Sequence, residues 1–426
     1  MNVIDNPSEV TEPINGPADE LKRTERKGFT SESIDHVMNG MTGDVVSNHI
    51  VRNQIDPADG DDKENTLKQD DNVLNNFKAR KFRLISRFLE NGRTRDLKSI
   101  AINELGLISD GVRRLVWPKI GGVNVYETSP RPAFEDIENH PYYHQVVLDV
   151  KRSLRRFPPS VAEAHRIALQ DKLVFMIMRV LMKNPELHYY QGYHDICVTI
   201  LLVLGEEVGF LLVEKLSRTN LSVFMEKTMA HTAEVLEHVY QIFEHENLKL
   251  KSFLETAGVG IMFCLSWVIT WFGHVLSDYD TVVRLFDLFL ASHSWMPIYL
   301  SAAIVLHKQK EILALDCDLA PVHSYLSKVI EEELPFEDLI NEAGELMAKH
   351  PPAKIKQERA LRMEELRKEN VLERENKLRK CFRYVGALYR GRLGPYFMAA
   401  TAVALLAVIF QVYRRHTGHV AVIGWW

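Results

Sequence analysis

His188-Tyr189-Tyr190-Gln191-Gly192-Tyr193-His194-Asp195 is the stretch on which the rest of the chain turns. Three tyrosines surround one amide side chain, a glycine follows it, and the apolar run Ile196 to Leu204 begins directly after. Upstream, Asn184-Pro185 closes the helical pattern of Asp171 to Lys183, because a residue before proline is pushed out of the helical region. Gln191 is therefore expected on a loop or at the first turn of a buried helix, with Gly192 letting a ligand or another backbone come close. A primary amide offers two donors and one acceptor on a rigid plane. It can hold a water molecule in one orientation or satisfy backbone groups at a helix end.

The 426 residues carry a formal charge of −5, and 46% of them are apolar, ample for a large core. The mild acidity, with no basic stripe interleaved with aromatics in mid-chain, argues against a nucleic-acid partner. Cys197, Cys264, Cys317 and Cys381 are far apart and form no C-x-x-C pair, which fits reduced thiols rather than a disulfide framework or a metal site. Met1 to Thr11 is polar and acidic, without a signal-peptide pattern.

Composition divides the chain into four parts. Residues 1–72 are acidic and poor in aromatics, so a disordered segment is expected there, with order beginning near Val73. Residues 73–352 read as one helical domain. Phe77 to Leu89 mixes apolar and basic residues as an amphipathic helix, Asn91-Gly92 ends it, and a second helix is expected over Leu97 to Leu107. A third segment, Val112 to Trp117, is stopped by Pro118. Arg113 and Trp117 share one face of it, and a guanidinium packed on an indole is the expected contact. From Asp171 to Leu346 only helical periodicity is seen, which makes the domain all-α. The apolar stretch Val259 to Leu276 has the length of a membrane span. Ser266, Thr270 and His274 recur down one side of it, however, and it is expected as a central buried helix.

Tyr142 to Phe157 is the most informative helix. Tyr143, Val146, Val147, Val150, Leu154 and Phe157 make one apolar stripe, and Asp149, Arg152 and Arg156 fall on the opposite side. An Asp and an Arg at i,i+3 are ordinarily a solvated pair worth a few tenths of a kcal/mol.

Residues 353–392 are dense in Glu, Lys and Arg and read as a charged helical spacer. Residues 393–426 contain the apolar run Tyr396 to Tyr413, with basic residues crowding its upstream side and Trp425 and Trp426 beyond it. That pattern is expected of a single C-terminal transmembrane helix with its upstream side in the cytosol.

Arg113-x-x-x-Trp117, Val146-x-x-Asp149-x-x-Arg152 and Tyr189-x-Gln191-Gly192 occur in this order in the helical region. Together they resemble the three signature motifs of the TBC domain, the catalytic domain of Rab GTPase-activating proteins. Val146 stands where that family usually has isoleucine, and Phe286-Asp287 where many members have Trp-Asp. The resemblance implies a multi-helix TBC fold and an activator that acts in trans on Rab-bound GTP rather than a free-standing hydrolase. It also implies the roles of the residues. Arg152 would be an arginine finger, Asp149 would hold its guanidinium, Gln191 would orient the attacking water, and Tyr189 would pack behind Gln191 next to Gly192. Arg113 and Trp117 would shape the helix behind the site. GTP and magnesium would belong to the Rab, since this chain has no G-x-x-x-x-G-K-[ST] loop. The anchor points to the endoplasmic reticulum or early Golgi membrane, with the domain facing the cytosol.

Two other readings compete. His194-Asp195 at a helix start is the kind of pair found in metal-dependent HD-type phosphohydrolases, with His188, His140 and His144 as further ligands. A non-catalytic Rab-binding scaffold is the other, although such a scaffold gains weight when the Arg or the Gln is missing, and both are present here.

Overall fold

The computed structural model describes residues 61–152, 163–389 and 394–417. Among these residues the secondary structure is helical throughout, with no strand. The chain divides into two compact units, residues 1–351 and 352–426. Most of the segment expected to be disordered, together with Leu154, Arg156, Phe157, Trp425 and Trp426, lies outside the described residues.

The first unit opens with α1 (Asp61–Glu90), α2 (Thr94–Ile102) and α3 (Asp110–Ile120). The helix starts twelve residues before Val73. α2 is shorter than its apolar pattern suggested: Asn103 turns extended at ψ 162° and ends it, and Leu105, Gly106 and Ile108 then take positive φ. α3 is longer. Ser109 caps it by accepting from the Val112 N–H, and the helix carries Pro118 within its last turn.

Next come α4 (Phe134–Glu138), α5 (Tyr143–Arg152), α6 (Glu163–Lys183) and α7 (Tyr193–Ser217). α7 is long and apolar enough to cross a membrane, yet it is mostly buried in the domain. Gly205, at φ 75°, kinks it just before Glu206-Glu207. The short helices α8 (Ala230–Leu236), α9 (His238–Glu246) and α10 (Leu248–Thr256) lead to α11 (Met262–Ile269).

The expected central helix over Val259 to Leu276 is only this two-turn α11. Trp271 and Phe272 both take left-handed φ, 50° and 63°, and the Phe272 N–H turns back to the Trp267 carbonyl at 2.7 Å. Both rings are buried, against Phe289 and, for Trp271, Phe286 as well. Burial of two large rings holds a backbone that costs roughly 1–2 kcal/mol per residue.

α12 (Tyr279–Ala291), α13 (Met296–His307), α14 (Gln309–Ile312), α15 (Leu319–Lys328) and α16 (Phe336–Lys349) complete the unit. The main packing pairs are α13 with α16, α6 with α7, α2 with α12, and α5 with α6. The second unit holds α17 (Pro352–Tyr389) and α18 (Gly394–Thr417). α17 is exposed over most of its length and carries Glu-to-Lys pairs at i,i+4, Glu364 with Lys368 and Glu373 with Lys377.

Candidate functional site

α5, the loop before α7, and the turn after α11 converge on one open groove of about 1260 Å³. Arg152 and Gln191 both line it, together with Asp149, Gly192, Thr270 and His274. Two side chains separated by 39 positions in sequence are thus brought to one concave surface. Both are exposed.

The two members of the Asp149–Arg152 pair have opposite environments. Arg152 is 70% exposed while Asp149 is 1% exposed, and their closest N···O distance is 3.8 Å. Asp149 does not share the solvated face expected from its periodicity. It is covered because two other groups claim its oxygens: the Tyr189 hydroxyl donates to Oδ2 at 3.0 Å, and Gln145 Nε2 donates to Oδ1 at 3.0 Å. Burial raises the Tyr189 hydroxyl far above its ordinary range, and the neighbouring Asp149 carboxylate adds to the shift. The phenol therefore stays a donor. A buried, doubly anchored carboxylate is a fixed negative point from which a mobile guanidinium can extend into the groove.

Gln191 lies on a turn, and its glycine has two jobs. Gly192 takes φ 105°, and a Cβ there would sit 2.7 Å from Thr270 Cγ2. The close neighbour is a side chain of the same domain. Tyr190 ties the turn to the end of α11, its hydroxyl donating to the Ile269 carbonyl at 2.7 Å. His188 is held on both sides, by its N–H to the Met225 carbonyl and by its ring to the Tyr142 hydroxyl at 2.6 Å.

Arg113 and Trp117 do not line the groove. They meet at a shared acceptor, the fully buried Asp287 carboxylate, rather than as a guanidinium on an indole. Trp117 Nε1 donates to Asp287 Oδ1 at 2.7 Å, Arg113 Nε and Nη2 donate at 3.1 Å, and the Leu107 N–H adds a bond at 2.9 Å. Burial alone would lower the Arg113 pKa, but Asp287 and Asp110 hold it above its usual value. The hub reaches the groove through one link, since Asp110 also accepts from the hydroxyl of Tyr279, a groove residue.

Asp287 entered the sequence reading only as part of the Phe286-Asp287 pair, and Thr270 and His274 only as polar members of an apolar stretch, none with a role at the site. Asp287 had a sequence signal: Arg284 and Asp287 interrupt the apolar run Val282 to Ala291, and charges inside a buried helix need partners. Arg284 has them in the Ala101 carbonyl and Glu337. Ser266, Thr270 and His274, the polar file of the apolar stretch, all face the groove.

The His194-Asp195 pair is used locally. His194 Nδ1 meets the Tyr189 hydroxyl at 3.2 Å, and Asp195 Oδ2 meets His274 Nδ1 at 3.0 Å. His188 is engaged by Tyr142, whose own N–H points to His140 Nδ1. Among the described residues no group of three or more His, Cys, Asp or Glu is placed to hold a metal ion. The geometry therefore does not favour the phosphohydrolase reading.

A model of the Rab-GTPase-TBC domain matches residues 110–313. Residues 110–313 are a TBC domain. The chain is 50% identical over 264 residues to TBC1 domain family member 20 of Bos taurus, covering 62% of this chain and 65% of that protein. It is 31% identical over 253 residues to the GTPase-activating protein gyp10 of Schizosaccharomyces pombe, covering 57% of this chain and 65% of that one. In each case the match spans just under two thirds of the relative's length. The crystal structure of the Chlamydomonas flagellar RabGAP TBC domain shares the fold, with a TM-score of 0.50 at 15% identity over 68% of this chain and 97% of that one. The three motifs all lie within the matched TBC region, and two of them line the groove.

Proposed function

We propose that this protein is a GTPase-activating protein for a membrane-bound Rab of the early secretory pathway, with Arg152 and Gln191 both supplied in trans. The observation that carries this reading is the placement of the two side chains. Both are exposed in one groove, while the residues that position them, Asp149 and Gly192, are buried. Hydrolysis of GTP needs the charge on the transferring phosphoryl group neutralised and a water placed in line. The Arg152 guanidinium is planar and permanently charged, which suits the first task. The Gln191 amide suits the second, doing the work usually left to the GTPase's own glutamine. The nucleotide and its magnesium are the partner's, and the activator acts on them without a cofactor of its own.

The second unit supports a membrane location. α18 is an unbroken helix of 24 residues, and its apolar part, Ala399–Gln411, presents Val403, Leu405, Leu406 and Phe410 to the outside. We assign it as a C-terminal anchor in the endoplasmic reticulum or early Golgi membrane, with α17 as the spacer. Single-turnover GTP hydrolysis by a panel of GTP-loaded Rabs, with and without the full chain, tests the activity. Acceleration of one or a few Rabs by a factor near 10³ or more supports the reading. Binding of a Rab without acceleration would instead make the chain a scaffold.

A further inference from the structure

The two sides of α1 meet different surroundings. On one, Phe82, Ile85 and Leu89 are buried, and the Lys81 amine donates to the carbonyls of Asn103, at 3.1 Å, and of Glu104. That side is fixed to the domain, through α2 above all. The other side is uncovered. Val73, Phe77 and Leu84 are exposed there, Val73 by 64%.

Val73, Phe77, Arg80, Leu84 and Arg87 succeed one another at steps of four, three, four and three, which sets them in one line along the helix. Arg83 is exposed beside that line, and Lys78, four residues before the buried Phe82, is half-buried toward the domain side. Among the described residues, none of these four cations meets a carboxylate, in a chain whose formal charge is −5. Other cations of the first unit, Arg113, Arg131, Arg179 and Arg284 among them, are paired with carboxylates.

We propose that this face of α1 docks on an anionic lipid surface. Charge complementarity and the apolar line both point there. A nucleic-acid strand would answer the cations and leave Val73, Phe77 and Leu84 in water. A lipid interface takes both, with apolar side chains below the headgroups and guanidinium groups among the phosphates. Because the far side of α1 is fixed to the domain, docking through it also sets the orientation of the domain on the bilayer. The inference stands apart from the catalytic reading and from the assignment of α18, since it concerns a different helix and a lipid-dependent contact.

The test uses the full chain with its exposed thiols removed by Cys317→Ser and Cys381→Ser, and an environment-sensitive dye on Val73→Cys. It is reconstituted with vesicles of phosphatidylcholine alone, or with roughly 30% phosphatidylserine added. The dye is expected to shift to the blue only with phosphatidylserine, and to return when salt is raised to about 0.5 M. The exposed-face variant Arg80→Glu/Arg83→Glu/Arg87→Glu should weaken the response well over 100-fold, since removing three charges at roughly fivefold each already gives about that factor and each reversal goes further. The Arg→Gln version should give a smaller loss, and it keeps the test decisive if the reversed charges disturb folding. Three results would overturn the proposal. One is a dye indifferent to phosphatidylserine. Another is a dye already buried without vesicles and released by removing residues 1–60. The third is a lipid-free response that grows with protein concentration, which would mark a contact between copies.

Discussion

Thr270 Cγ2 stands 2.7 Å from the point where a Cβ on Gly192 would lie. The wall after α11 is thus packed directly onto the turn that carries Gln191, and Gly192 also holds φ 105°. Gly192→Ala is expected to destabilise the fold by about 2–4 kcal/mol, from a left-handed alanine and a steric clash together. Adding Thr270→Ser removes Cγ2 and should recover the steric part while leaving the backbone part. Urea denaturation of the single and double variants measures both. Equal stability of the two would mean that Thr270 is not what limits the turn.

Asp287 gathers Arg113, Trp117 and the Leu107 N–H at a site with no exposure. Asp287→Ala leaves the Arg113 guanidinium buried without its main partner, and a loss of about 3–5 kcal/mol is expected. Trp117→Phe keeps most of the ring volume and removes one donor, for about 1–3 kcal/mol. In the Trp117→Phe variant, hydrolysis at saturating activator should stay within a few-fold of wild type, because neither residue faces the groove. A collapse of the rate in a folded Trp117→Phe protein would place this hub in the chemistry.

The buried Lys81 gives stability a pH dependence. Burial, assisted by the Arg284 guanidinium, lowers its amine to about 8 from the ordinary 10.5. Between those values the unfolded chain keeps the proton and the folded chain has released it, so stability rises with pH across that window. Below about 8 both states hold the proton, and the folded state bears the full cost of the buried charge. Relative to Lys81→Met, the wild type should gain about 1–3 kcal/mol across the window. A difference that stays flat with pH would show that the amine is not desolvated as described.

Deleting residues 394–426 is expected to leave activation in solution intact and to abolish turnover of membrane-bound Rab in cells. The residues that line the groove all lie between Asp149 and Val282, and confining both proteins to one surface raises their effective concentration to about the millimolar range. The truncated and full chains are compared at equal expression for membrane fractionation and Rab-GTP level. A truncated chain that still pellets with membranes, or still depletes Rab-GTP equally, contradicts the anchor.

The helical class and the apolar stripe through Val146 and Val150 were legible from periodicity, the placement of Gln191 on a loop or at a helix's first turn from the preceding Asn184-Pro185, and the three motifs pointed to the family. Other features depended on contacts that no local pattern encodes. Periodicity put Asp149 on a polar face, but Tyr189, forty residues on, buries it. The apolar stretch Val259 to Leu276 carried a helical signal throughout, and burial of Trp271 and Phe272 against α12 outweighed it. Arg113 and Trp117 were correctly placed on one face, yet their common partner lies 170 or more residues away.

Arg152 reaches from beside a buried carboxylate into the groove that Gln191 lines, and single-turnover GTP hydrolysis with Arg152→Lys tests its role most directly. Lysine keeps the charge and loses the planar fork. A fall of about 10³-fold or more is predicted, with the circular dichroism of wild type and Rab binding retained. Activity within a few-fold of wild type would contradict it.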